Sequence, residues 1–205
     1  MRMTTLDIEN RVSQKAEDYR LLSTLFREPM VDLSVKVKLL STRLASFDGS
    51  LTSICEEMNE LFKDGSQSLE EYIIEYSRLF IGPFKLVAPP YSSIYLEDKW
   101  EVMSRSTQIV ETFYQRAGLT LETKGSEPAD HISTQLEFMY YLNFKWNETG
   151  DTAYLELQKE FLYKIMTHWI PKFNSAIQEG ASLPFYRLLG TLTELFIRQD
   201  FESIK

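Results

Sequence analysis

Apolar residues recur three and four positions apart almost from one end of this chain to the other, and no other feature limits its fold so strongly. Val12, Ala16, Tyr19, Leu22 and Phe26 form one such stripe, closed by Glu28-Pro29. A second holds Leu33, Val37, Leu40, Leu44 and Phe47 and stops at Asp48-Gly49. A third runs through Leu51, Ile54, Met58, Leu61 and Phe62 to Gly65. Ser68 and Glu71 have the spacing of a capping box. They open a segment with Leu69, Tyr72, Tyr76, Leu79 and Phe80, which Gly82-Pro83 halts. Met103, Val110, Phe113 and Ala117 follow at the same period, up to Gly118. Pro128 is suited to a first helical position, and Ile132, Leu136, Met139, Asn143 and Trp146 continue from it to Gly150. Two further stretches, 152–169 and 184–201, are separated by Pro171, a short helix with Phe173 and Ile177, and Gly180. Strand-type alternation is weak throughout, so the spacing predicts an all-α fold.

A chain of 205 residues can bury a sizeable core as a single multi-helix domain. Its best internal junction is the polar connection 119–127, read as a hinge between an N-terminal part, 1–118, and a C-terminal part, 128–205. A monomer is the default, with a domain-swapped dimer as the alternative that such a hinge would permit.

Composition narrows the function by exclusion. The net charge of −8 opposes a nucleic-acid role, which needs clustered Lys and Arg. His131, His168 and the lone Cys55 cannot assemble a Cys/His metal cluster, and no phosphate-binding Gly-rich loop is present. Cys55 lies within a helical stripe and is read as a small core residue. The reading is therefore a non-enzyme without metal or cofactor. Met1–Glu9 lacks a basic segment ahead of an apolar run, and no stretch approaches membrane-spanning length. The expectation is a cytoplasmic protein with no export signal.

Two stretches stand apart from the helical stripes. Tyr76, Leu79 and Phe80 lead into a loop carrying Pro89-Pro90-Tyr91, a stiff corner rich in aromatic side chains. Glu127, Asp130 and His131 cluster around Pro128, an acid-and-imidazole group at a helix start. Together they suggest a trough for an apolar peptide with positive charge beside it. Leu79 and Phe80 suit a core as well as a trough, whereas Tyr91 suits the surface. If Pro128 starts the helix, Asp130 and His131 fall in its first turn, at least partly exposed and near the 82–97 loop.

At these positions the chain resembles the TorD/DmsD family of chaperones that mature twin-arginine-exported molybdenum redox enzymes. The resemblance is carried by Leu79-Phe80-x-Gly82-Pro83, Pro89-Pro90-Tyr91-x-Ser93-x-Tyr95 and Glu127-Pro128-x-Asp130-His131. His168-Trp169-x-Pro171-x-Phe173 and Phe185-Tyr186-Arg187 extend it towards the C-terminus. It implies an all-helical chaperone that binds the twin-arginine signal peptide of a molybdoenzyme precursor and assists cofactor insertion before export. Family positions implicated in signal-peptide binding fall on Tyr76, Leu79, Pro90, Tyr91, Asp130 and His131. Phe80 and Glu127 join them on physical grounds, as part of the trough and as negative charge facing an arginine pair. The chain departs from DmsD-like members in having Tyr76 and Tyr91 where those carry tryptophans, and from some relatives in having Ala129 where they carry a second acid. An assembly factor that grips the folded body of a redox-enzyme subunit, independently of its leader, is the alternative.

Overall fold

A computed structural model describes residues 5–45, 49–63, 65, 67–82, 86–97, 105–120 and 127–204, with backbone alone for 5–14. Helices α1 (Thr5–Leu25), α2 (Leu33–Leu44) and α3 (Gly49–Glu60) are followed by α4 (Leu69–Tyr76), which continues into a π turn over Ser77–Ile81. The short α5 (Ser92–Leu96), α6 (Arg105–Arg116) and α7 (Ile132–Thr149) come next. Then α8 (Thr152–Phe161) passes through a second π turn, Leu162–Met166, into α9 (Thr167–Gly180), and α10 (Pro184–Ser203) closes the fold. Among the described residues there is no strand; one isolated antiparallel bridge joins Tyr91 to His131.

The all-α expectation thus holds, and its local reasons are visible. Ser68 accepts the Glu71 N–H while the Glu71 carboxylate accepts the Ser68 N–H, the reciprocal box that starts α4. Gly150, at φ 68°, closes α7 with an N–H to the Trp146 carbonyl. Helix α1 packs on α7 and α2, α7 on α8, α3 on α2 and α10, and α10 on α9, while α5 lies between α6 and α9. The buried stripes merge into one core that runs from Tyr19 to Ile197. Phe80 sits where several of them meet, its ring centroid 5.3 Å from Tyr76, 5.7 Å from Tyr186, 6.0 Å from Phe173 and 6.3 Å from Phe26. Cys55 is buried in this core, and burial pushes its thiol pKa up to about 12, so it is an inert packing residue.

Three boundary expectations are corrected. Gly49 opens α3 rather than merely ending α2, and Phe47 and Asp48 lie outside the described residues. Pro171 does not divide the chain, because α9 passes through it. Pro171 has no N–H to give the Thr167 carbonyl, yet the helix runs on past it to Gly180. Pro128 does not begin α7. Its carbonyl accepts the His131 N–H in a tight turn, and the helix starts at Ile132, with His131 as its cap. The centre of the 119–127 connection and residue Met103 lie outside the described residues.

Phe80→Ala should lower stability by about 3–5 kcal/mol, the usual range for emptying a packed aromatic site. The check is a urea unfolding curve with a reduced midpoint and an unchanged slope. A loss below about 1 kcal/mol would place the ring outside the core.

Candidate functional site

The bridge between Tyr91 and His131 organises the region. The Ser92 N–H donates to the Asp130 carbonyl at 3.0 Å, and the Ile132 N–H donates to the Pro90 carbonyl at 2.8 Å. Tyr91 is extended (φ −119°, ψ 127°) and caps α5, while the extended His131 (φ −67°, ψ 142°) caps α7. Two helix starts are therefore stitched together by the residues that precede them. The two rings meet edge to face at 5.3 Å.

Buried polar contacts hold this stitch from behind. Tyr114 donates from its hydroxyl to the Ala129 carbonyl at 2.7 Å. The Gln135 amide donates to the Asp130 carbonyl at 3.0 Å and accepts from the Trp169 indole N–H at 3.0 Å. Asp130 itself is fully buried, at 0% exposure, and one of its carboxylate oxygens accepts the Ser93 N–H at 3.1 Å. His131 is 3% exposed. The expectation that both would be partly exposed in a first helical turn is overturned. The chain reaches them in a turn and a bridge, which direct Asp130 inward to satisfy the start of α5. Their expected proximity to the 82–97 loop is what the bridge provides.

In front of the stitch lies a cleft of about 380 Å³ lined by Tyr76, Phe80, Ile81, Leu86, Tyr91, Glu127 and His131. Five of the eight candidate residues thus share one surface: Tyr76, Phe80, Tyr91, Glu127 and His131. The other three lie behind it. Leu79 and Pro90 are buried; the Leu79 carbonyl accepts the Ala88 N–H at 2.9 Å, and the Pro90 carbonyl belongs to the bridge. Asp130 is the third. Phe80 answers both readings offered for it, being nearly buried in the core and lending an edge to the cleft.

Ile81 and Leu86 were not anticipated. Helical periodicity groups Tyr76, Leu79 and Phe80, but the turn here is a π turn, with the Gly82 N–H reaching back five residues to the Ser77 carbonyl at 2.7 Å. That wider turn brings Ile81 to the same surface as Tyr76, and Gly82 (φ 46°) then takes the chain out of the helix. Glu75 and Arg78 anchor the turn. Arg78 donates to both Glu75 oxygens at 2.7 Å and to the Gly180 carbonyl at 2.6 Å, and Glu75 also accepts the Ser182 and Leu183 N–H groups. Burial works to raise the Glu75 pKa, but these donors outweigh it and hold the carboxyl below the usual range.

The cleft is apolar with an acidic lip. Burial, and then the charge of Glu127, raise the Tyr91 pKa; the same two causes, with Glu28, push Tyr76 up to about 12. Both phenols are therefore neutral donors at neutral pH. Burial, aided by the Arg27 charge, lowers His131 to about 4, so its imidazole is neutral. Its Nδ1 accepts the Ser133 N–H at 3.2 Å and lies 2.7 Å from the Ser133 hydroxyl. The proton consequently rests on Nε2, which has no partner among the described residues and is the donor the ring can offer the cleft. Among the described residues no group of three His, Cys, Asp or Glu could hold a metal ion, and no helix is long and apolar enough to cross a membrane.

This neutral, buried His131 makes stability depend on pH. The unfolded imidazole takes up a proton below about pH 6.5, whereas the folded one resists until about pH 4. Its contribution is present above pH 6.5 and is lost as the pH falls through that window, by on the order of 3 kcal/mol. Asp18, raised by burial to about 6, works in the opposite direction. The difference in unfolding free energy between wild type and His131→Gln isolates the histidine. That difference should shrink steadily from pH 7 to pH 4.5, and a flat difference would contradict the burial argument.

Comparison with known proteins agrees with the geometry. The profile of the family described as nitrate reductase delta subunit matches residues 44–175, well over half of the chain. A chaperone protein TorD from Aliivibrio salmonicida (strain LFI1238) is 26% identical over 93% of this chain and 94% of its own length. One from Shewanella sp. (strain ANA-3) is 29% identical over 99% of this chain and 98% of its own. The crystal structure of a putative redox enzyme maturation protein from Archaeoglobus fulgidus superposes with a TM-score of 0.55, at 20% identity, over 89% of this chain and 93% of that one. That likeness shows the fold. The profile, matching more than half of the chain, together with the similarity to TorD chaperones, leads to one assignment: the chain belongs to the nitrate reductase delta subunit family, the family of the TorD redox-enzyme maturation chaperones.

Proposed function

We propose that this chain is a cytoplasmic chaperone that holds the twin-arginine signal peptide of a molybdenum-cofactor-containing oxidoreductase in the Tyr76–Tyr91–His131 cleft, and assists cofactor insertion before export. The observation that supports the reading is that Tyr76, Phe80, Tyr91, Glu127 and His131, from two segments distant in sequence, line one apolar cleft with a carboxylate at its lip. A twin-arginine leader offers the complementary chemistry, two guanidiniums beside an apolar run. About 380 Å³ lies near the lower end of the roughly 300–1,000 Å³ typical of ligand pockets, so the cleft seats a short part of that run.

Magnitudes assign the roles. An exposed Arg–carboxylate pair is worth roughly 0–1 kcal/mol, whereas each buried methylene contributes about 0.8 kcal/mol before ordering costs. The apolar wall from Tyr76, Phe80, Ile81, Leu86 and Tyr91 supplies affinity. The His131 Nε2–H can donate to a peptide carbonyl and fix the depth of the chain. Glu127, exposed at the lip, is the acid placed to face a guanidinium. Asp130, fully buried, acts on the peptide through the α5 and α7 starts it holds.

A second reading, that the chain grips the folded body of its client, is favoured by a different surface. Met30, Val31, Val35 and Leu39 are exposed on and before α2. Val35, with Phe62, also lines a groove of about 610 Å³ between α2 and α3.

Titration of a synthetic leader peptide separates these roles. Replacing its apolar residues by serine should weaken binding more than tenfold, because several methylenes are lost. Glu127→Gln should cost only a few-fold and shrink the preference for Arg-Arg over Lys-Lys. Leader binding insensitive to the serine replacement would sink the cleft reading.

Leu39→Lys gives the complementary test. It should leave leader affinity unchanged, and if the second reading holds it should abolish co-purification with the folded client subunit.

A further inference from the structure

Beneath the cleft, the short strap 86–88 is trapped between two elements. On one side the Ala88 N–H donates to the Leu79 carbonyl at 2.9 Å. On the other, Val87 lies directly on Gly180, the last residue of α9. A Cβ at position 180 would fall 2.2 Å from Val87 Cγ1 and 3.7 Å from Leu79 Cδ2. No real contact is that short, so any side chain at 180 must displace the valine. Gly180 is also the acceptor for Arg78, whose guanidinium ties the π turn of Ser77–Ile81 to the same spot. Two walls of the cleft therefore rest on one glycine: Leu86 through the strap, and Ile81 through the π turn.

We infer that Gly180, outside the cleft and remote from it in sequence, is a positioning residue for peptide binding: its missing side chain lets the 86–88 strap seat deeply enough for Leu86 to form the cleft wall. The backbone of Gly180 needs no glycine for its own conformation, since its φ is not among the positive ones. Close approach is what requires it. The displaced group is a β-branched side chain with stiff χ1 preferences, partly buried against the core. Relief by turning the valine is thus opposed by packing, and lifting the strap is the remaining route. This inference rests on the cleft reading above, and its test is arranged so that either can fail alone.

The test is a double-mutant cycle of Gly180→Ala and Val87→Ala, read in two ways. Methyl NMR of the free protein reports wall position: Gly180→Ala should shift the Leu86 and Ile81 resonances, and adding Val87→Ala should return them towards wild type. Calorimetric titration with a synthetic peptide carrying Arg-Arg ahead of a leucine–alanine run reports binding. Gly180→Ala should weaken it about tenfold, and the double variant should recover most of that loss, a coupling of the size expected for contacting residues. Unmoved methyl resonances would overturn the inference, as would a binding loss that Val87→Ala fails to rescue. If the wild-type chain binds no leader, the cleft reading falls, while the methyl spectra still decide whether Gly180 sets the wall.

Discussion

Two backbone hydrogen bonds, Ser92 to Asp130 and Ile132 to Pro90, hold the candidate site in one piece. They join segments about forty residues apart in sequence, between two helix starts. Such a bridge is stable only where water cannot compete for the same groups. The buried prolines 89 and 90, the fully buried Asp130 and the Trp169–Gln135 pair exclude it. Without the bridge, Tyr91 would be an aromatic on a loose loop and His131 an ordinary cap. With it, both rings become fixed walls of one cleft.

The acids around this cleft divide their work by depth. Asp130 lies inside and meets a backbone N–H, so its carboxyl serves the start of α5. Glu127 lies outside, exposed at the lip of the cleft, where the proposed leader's guanidinium would meet it. Glu75 is a third case, spent on Arg78 and on the amides after α9, and it braces the π turn. Identical chemistry thus gives a capping group, a lip and a brace: exposure sets Glu127 apart, and the donors that Asp130 and Glu75 each meet separate the two buried acids. The same logic applies to His131, whose low pKa keeps it a neutral donor over the physiological range.

Two π turns lie within long helical runs. The one at Leu162–Met166 joins α8 to α9 upstream of Pro171, and the one at Ser77–Ile81 brings Ile81 to the cleft. Each is a wider turn with poorer hydrogen-bond geometry than the α-helix. Neither has a strong local signature, since the apolar spacing around it is compatible with the ordinary helical period.

Local information determined much of this protein. Apolar spacing of three and four, with Gly and Pro as punctuation, was enough for the all-α class, the capping box at Ser68 and the ends at Gly82, Gly118 and Gly150. The aromatic and acidic motifs pointed to two segments that the bridge brings side by side, because rigid proline corners and helix starts leave a mark on composition. Depth did not show. Whether Asp130 faces water or Ser93, whether Leu79 touches a ligand or only supports what does, and why residue 180 must be glycine depend on which distant segment packs against each. Those are long-range pairings, fixed when the helices close on one core, and a one-dimensional period carries no record of them.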